Sequence, residues 1–199
     1  MTRPQLWVFA GPNGAGKSTI VARFHVAERI PVVNPDAIAR RLKPDHKSEP
    51  ALMLKAGRIA AAERRAYIRG RQSFAIETTL TGQSERRIME EARAAGYKVT
   101  LVFLGLDDAL IALARVRERV AQGGHDVPAP TVLARYAKSL ANLPAALALT
   151  DRAFILDNTG PRHRLLLALE DGQARSVSRQ LPTWARNALP PALRQTLPS

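Results

Sequence analysis

Short apolar runs recur along the chain, and between them the apolar residues fall at helical spacing. Residues 6–10, 31–34, 73–76, 98–104 and 153–156 are brief and nearly continuous in apolar character, which predicts buried strands, with 98–104 the clearest. Helices are predicted from residue 17 to about 28, from 34 to about 44, over 51–69, over 84–96, from Asp107 or Asp108 through Ala121, and from Thr131 to about Leu143. Their punctuation is orthodox. Asn34-Pro35-Asp36 offers a cap, a proline at the first helical position and a first-turn acid. Gly70 and Gly96 stop two helices, and Ser84 and Thr131 are candidate caps. Residues 45–50 and 125–130 read as loops. Strands alternating with helices specify a parallel sheet covered on both faces. After Gly160 the pattern weakens to a helix at 165–169, a strand at 174–180 and a tail broken by Pro182, Pro190, Pro191 and Pro198. The expected organisation is therefore a core over 1–160, with a helical segment at about 107–143 as a candidate lid, and an extension over 161–199.

Composition narrows the chemistry. At 199 residues and 46% hydrophobic the chain can fill the core of one α/β domain. It has no cysteine, which excludes disulfides, a thiolate nucleophile and a cysteine zinc cluster. No run spans a membrane and residues 6–10 are too short for a signal-peptide core, so a soluble, cytoplasmic protein is expected. The formal charge of +13 could serve nucleic acid, an anionic surface or a polyanionic small substrate. Its arginines are dispersed through helices and aromatics make up only 5%, which leaves little for stacking on bases and disfavours nucleic acid as partner.

One stretch carries definite chemistry. Gly11-Pro12-Asn13-Gly14-Ala15-Gly16-Lys17-Ser18 satisfies G-x-x-x-x-G-K-[ST] at every position, directly after a predicted strand and before a helix that continues with Thr19. Glycines let backbone N–H groups close around phosphate oxygens, and the helix N-terminus adds positive charge. In that pattern Lys17 reaches the β- and γ-phosphates and the Ser18 hydroxyl ligates Mg²⁺, so ATP and Mg²⁺ are the expected cofactors.

Three predicted strands end on acids, at Glu77, Asp107 and Asp157. Ligands of open α/β sheets sit beyond the carboxyl ends of the strands, so each is a candidate to hold Mg²⁺, and each could instead cap the next helix. Asp36 is either a first-turn acid complementing the helix dipole or a base for an acceptor hydroxyl. Arg115 and Arg119 share one helix face, Arg135 follows on the next helix, and Gly123-Gly124 joins the two. This would suit a cationic lid over a transferring phosphate, or a solvated basic face.

Taken in order, the P-loop, Asn34-Pro35-Asp36, Glu77-Thr78-Thr79-Leu80, the run from Arg115 to Pro128 and Arg135-Tyr136 resemble the zeta-toxin family of P-loop kinases, in particular its short stand-alone bacterial members. The resemblance covers about residues 5–160. It implies a P-loop NTPase kinase-like α/β fold with a five-stranded, mostly parallel sheet, helices on both faces and a helical lid. It also implies transfer of the ATP γ-phosphate to a sugar hydroxyl of a nucleotide sugar, UDP-N-acetylglucosamine in the best-known members, and restraint by an antitoxin partner. By that resemblance Asp36 is the base, and Glu77, Thr78 and Thr79 contact the acceptor. Lys17, Arg119, Arg135 and Arg115 would hold the phosphate. Set beside that family, the chain is expected to lack the long carboxyl-terminal portion of the larger toxins. Other acceptors (a nucleotide, a polynucleotide 5′-hydroxyl, an antibiotic) and a regulatory ATPase are the competing readings.

Overall fold

The structure, a computed structural model, describes residues 3–42, 50–124 and 126–194. Residues 45–49 of the loop expected at 45–50, the helix end at Pro44, His125 and Pro198 lie outside the described residues, while Pro50 already belongs to a helix. Among the described residues a single seven-stranded sheet runs in the order β2-β3-β1-β4-β5-β6-β7. Its first five strands are β1 (Gln5–Ala10), β2 (Val32–Val33), β3 (Phe74–Thr78), β4 (Lys98–Gly105) and β5 (Arg152–Asp157), all parallel as expected. Every side chain of β4 from Val99 onward is buried, which is why this strand is the clearest in the sequence.

Helices cover both faces. The core on one face includes Leu6, Val8, Ile76, Leu101 and Phe103 and packs under α3 (Pro35–Leu42), α4 (Pro50–Arg69) and α5 (Gln83–Ala94). The other face gathers Phe9, Val102 and Leu104 beneath α1 (Lys17–Arg23), α6 (Ala109–Ala121) and the first turns of α7 (Ala129–Leu147). Alternation along the parallel strands divides the apolar residues between these two cores.

Four expectations are corrected. The first helix is not continuous to residue 28: it stops at Arg23, His25 takes φ 51°, and a short α2 (Val26–Arg29) follows, turning the chain toward β2. α5 starts at Gln83 after Gly82, one residue before the candidate cap Ser84. α7 starts at Ala129, two residues before Thr131, because a proline is tolerated in a first turn, and it continues through Pro144 to Leu147. The segment at 165–169 is not a helix but the middle of β6 (Arg164–Glu170), which pairs antiparallel with β5 and with β7 (Gln173–Val177). Asp171 and Gly172, at φ 51° and 77°, form the two-residue turn between them, the backbone signs of a type I′ hairpin. The sheet therefore has seven strands, the five expected ones extended by an antiparallel pair.

The residues beyond this hairpin return to the core. α8 (Thr183–Ala188) buries Trp184, Ala185 and Ala188, with Leu189 behind them, and a short α9 (Pro191–Arg194) follows. Trp184 lies on Gly105, where a Cβ would stand only 2.1–2.4 Å from its ring carbons. The indole thus occupies the space of the missing side chain at the end of β4. No helix among the described residues is long and apolar enough to cross a membrane.

Candidate nucleotide site

The carboxyl ends of β1, β3 and β4 converge on the Gly11–Ser18 loop. Gly11 has φ 141° and lies so close to Leu104 that a Cβ would fall 2.1 Å from its carbonyl oxygen, so no other residue fits this crossing. Pro12, Asn13 and Ala15 are buried, and Ser18 and Thr19 stand exposed at the start of α1. Asn13 Oδ1 is buried without a hydrogen-bond partner among the described residues. Lys17 folds back over the loop, and Nζ donates to the carbonyls of Gly11 and Pro12, each at 2.9 Å. Burial lowers its pKa to about 8; Glu77 and Asp36 act against that, and Arg119 and Arg135 reinforce it. These four side chains, from β3, α3, α6 and α7, thus all lie within electrostatic reach of one ammonium group. Asp36 is exposed in the first turn of α3.

Of the three strand-end acids, Glu77 is bonded directly to the phosphate loop. Ser18 Oγ donates to its Oε1 at 2.7 Å, and Asn34 Nδ2 donates to its Oε2 at 2.8 Å. The other two strand-end acids are placed elsewhere. Asp157 accepts from the Thr159 hydroxyl and pairs with Arg164 at 3.4 Å, and Asp107 borders a cavity of about 450 Å³ between α7 and α8. Asp108, not Asp107, caps α6, accepting from Leu110 N at 2.8 Å. A serine hydroxyl bonded to one carboxylate beside a phosphate loop fits Mg²⁺, which takes one or two protein oxygens and completes its shell with water and phosphate. No cluster of three or more His, Cys, Asp or Glu side chains suited to a metal occurs among the described residues.

The loop after Glu77 is tightly built. Thr78 is buried, its Oγ1 accepting from Leu80 N at 3.0 Å, and Leu80 is buried at φ 57°, an uncommon conformation for a branched side chain. Thr79 and Thr81 share a hydroxyl hydrogen bond at 3.0 Å. Asn142 of α7 donates to Leu80 O at 2.8 Å, and Tyr136 of α7 donates to Leu106 O at 2.8 Å. Burial pushes the Tyr136 pKa up to about 12, with Asp108 and Asp107 adding to the effect. Between Thr81 and the start of α7 runs a groove of about 360 Å³ lined by Thr131, Arg135 and Lys138.

Arg115 stands apart from the other two arginines. Its guanidinium donates to the carbonyls of Asn158 at 2.8 Å and Thr159 at 3.0 Å, and Asn158 Nδ2 donates to Ala15 O at 2.9 Å. It clamps the segment after β5 against the back of the phosphate loop. Reasoning from sequence missed two contributors here. Asn34 was legible only as a helix cap, and Asn158 only as part of a strand-end turn. Nothing local announces either contact, because each crosses between distant segments.

The strand order, the phosphate loop at the end of β1 and the flanking helices define a nucleotide-binding P-loop protein with a kinase-like fold. Comparison with known proteins agrees. The family model described as AAA domain (AAA_33) matches residues 6–144, and the chain belongs to that family. An uncharacterized protein of Haemophilus influenzae is 35% identical over 144 residues, which make up 68% of this chain and 100% of that one. Among solved structures, the AvrRxo1-ORF1:-ORF2 complex with ATP is similar at TM-score 0.70 and 17% identity, covering 98% of this chain and 74% of that one. The PezAT chromosomal toxin-antitoxin system of Streptococcus pneumoniae is similar at TM-score 0.59 and 17% identity, covering 94% and 77%. At these identities the likeness is one of fold.

Proposed function

We propose that the protein is a phosphotransferase that moves the γ-phosphate of ATP to a sugar hydroxyl of a nucleotide sugar, UDP-N-acetylglucosamine first among them. The supporting observation is the convergence of Asp36, Glu77, Arg119 and Arg135 on Lys17 at the mouth of the phosphate loop. On ATP binding, Lys17 exchanges its two loop carbonyls for β- and γ-phosphate oxygens. Ser18 and Glu77 would hold Mg²⁺, which would supply neutralisation of the triphosphate charge. Thr79 and the Thr81 side of the loop face the acceptor. Asp36 takes the proton of the attacking hydroxyl as its oxygen bonds to the γ-phosphorus and the bond to the β-phosphate oxygen breaks, with ADP leaving. Arg119 and Arg135 lie over the migrating group. Arg115, committed to two carbonyls, serves by holding the loop behind it. The groove beside Arg135 and Lys138 favours an acceptor that carries its own phosphates.

The biological reading is a toxin acting in the cytoplasm and restrained by an antitoxin protein. It rests on the motif resemblance and on likeness of fold to the PezAT system. Mass spectrometry of a nucleotide-sugar panel incubated with protein, ATP and Mg²⁺ tests the reaction. A phosphorylated product is expected from the wild type and from neither Lys17→Ala nor Asp36→Asn, while Asp36→Asn keeps its ATP affinity. Wild-type turnover by Asp36→Asn would remove the base assignment, and absence of any sugar product would redirect the search to other acceptors.

A further inference from the structure

We propose that Asn34 is a positioning residue that fixes the Glu77 carboxylate toward Ser18, in addition to capping α3; the inference rests on Glu77 being the metal-side acid. β2 and β3 are parallel neighbours with Val33 opposite Ile76, so the next residues, Asn34 just past the end of β2 and Glu77 still within β3, stand side by side. The Asn34 amide is used at both ends. Its Oδ1 accepts from the backbone N–H of Asp36 at 2.9 Å and of Ala37 at 3.3 Å, and its Nδ2 donates to Glu77 Oε2 at 2.8 Å. The other carboxylate oxygen accepts from Ser18. Each oxygen of Glu77 therefore has one fixed donor, and together they set the plane of the carboxylate.

The same amide also sets the first turn of α3, which carries Asp36. One side chain thus references the acid beside the phosphate loop and the acid beside the acceptor to a common point. A cap alone asks only for an acceptor oxygen, which serine or aspartate supplies equally well. Bonding Glu77 as well requires a donor on the same short side chain, and the amide of asparagine provides both. Groups that orient a metal-side ligand through a hydrogen bond commonly change metal affinity by ten- to a hundredfold when removed.

The test uses the full-length chain with a non-hydrolysable ATP analogue and Mn²⁺, whose binding is read by electron paramagnetic resonance, together with calorimetric melting. Asn34→Ser keeps the cap and loses the reach to Glu77. It is expected to melt with the wild type but to bind Mn²⁺ about tenfold more weakly. Asn34→Ala is expected to lose both melting temperature and Mn²⁺ affinity. Wild-type Mn²⁺ binding by Asn34→Ser, with Glu77→Gln weakened, would reduce Asn34 to a cap and overturn the inference while leaving the role of Glu77 intact. Wild-type binding by both variants would overturn the role of Glu77 and the inference with it.

Discussion

Lys17 enters the folded chain with its pKa lowered from 10.5 to about 8, chiefly by burial. A triphosphate placed against it supplies a compensating negative charge for the hydration lost on burial, so nucleotide binding returns the pKa toward its ordinary range. Binding at alkaline pH must then take up a proton. With a free-protein pKa of about 8, uptake is expected to be about half a proton at pH 8 and about nine-tenths at pH 9. The Lys17 contribution to affinity should be flat below pH 7, and affinity should be about tenfold weaker at pH 9 than at pH 7. The nucleotide contributes nothing in this window, because its terminal phosphate is already ionised. Titration calorimetry in two buffers of different ionisation heat measures the uptake directly. Lys17→Met serves as the control that abolishes it. The sign for stability is the reverse of that for affinity. The folded pKa lies below the unfolded one, so between about 8 and 10.5 the unfolded chain holds more protons, and the Lys17 contribution to stability rises with pH. The lowering from 10.5 to about 8 corresponds to about 3 kcal/mol, absent from the Lys17→Met protein. A nucleotide affinity constant from pH 7 to 10 with no proton uptake would refute the argument.

Two further substitutions separate roles in the same way. Gly105→Ala places a methyl group within the ring of Trp184 and is expected to cost about 2 kcal/mol in urea unfolding. Adding Trp184→Leu should restore part of that loss, and strictly additive effects would show that the two residues do not share the space. Arg115→Ala should free the segment after β5 and weaken ATP binding about tenfold, an amount typical of a lost charged hydrogen bond. Unchanged ATP affinity with a large loss of turnover would instead put Arg115 on the transferring phosphate.

The parts legible in the sequence are those fixed by local chemistry. The phosphate loop, the five parallel strands and the Asn34-Pro35-Asp36 helix start each carry their signal within a few residues. β7 overlaps the strand expected at 174–180, but β6 was missed because Leu165 to Leu169 is a continuous apolar run, which does not distinguish strand from helix at that length. The Asp171-Gly172 turn signal stood directly after it and was the better guide. The break at His25 has no glycine to announce it, and its cause is the need to reach β2. In the site, Lys17 and Ser18 follow from the motif. That Glu77 meets Ser18, and Asp157 does not, follows from sheet order, since β3 lies beside β1 and β5 does not. β4 also neighbours β1, but Asp107 stands two residues past its end and borders the cavity beside Trp184, which spacing does not reveal.

The hydrogen bond from Asn158 to Ala15 joins residues 143 positions apart. The phosphate loop is therefore completed by the residue that follows β5, the last of the parallel strands in chain order. Closure of so long a segment is slow, because chain entropy is lost before the contact is made. A fragment carrying the motif alone would hold the residues of the site without the backing that shapes them. ATP consequently acts as a ligand of the assembled sheet, stabilising the chain as a whole by mass action, and its binding reports that assembly is finished.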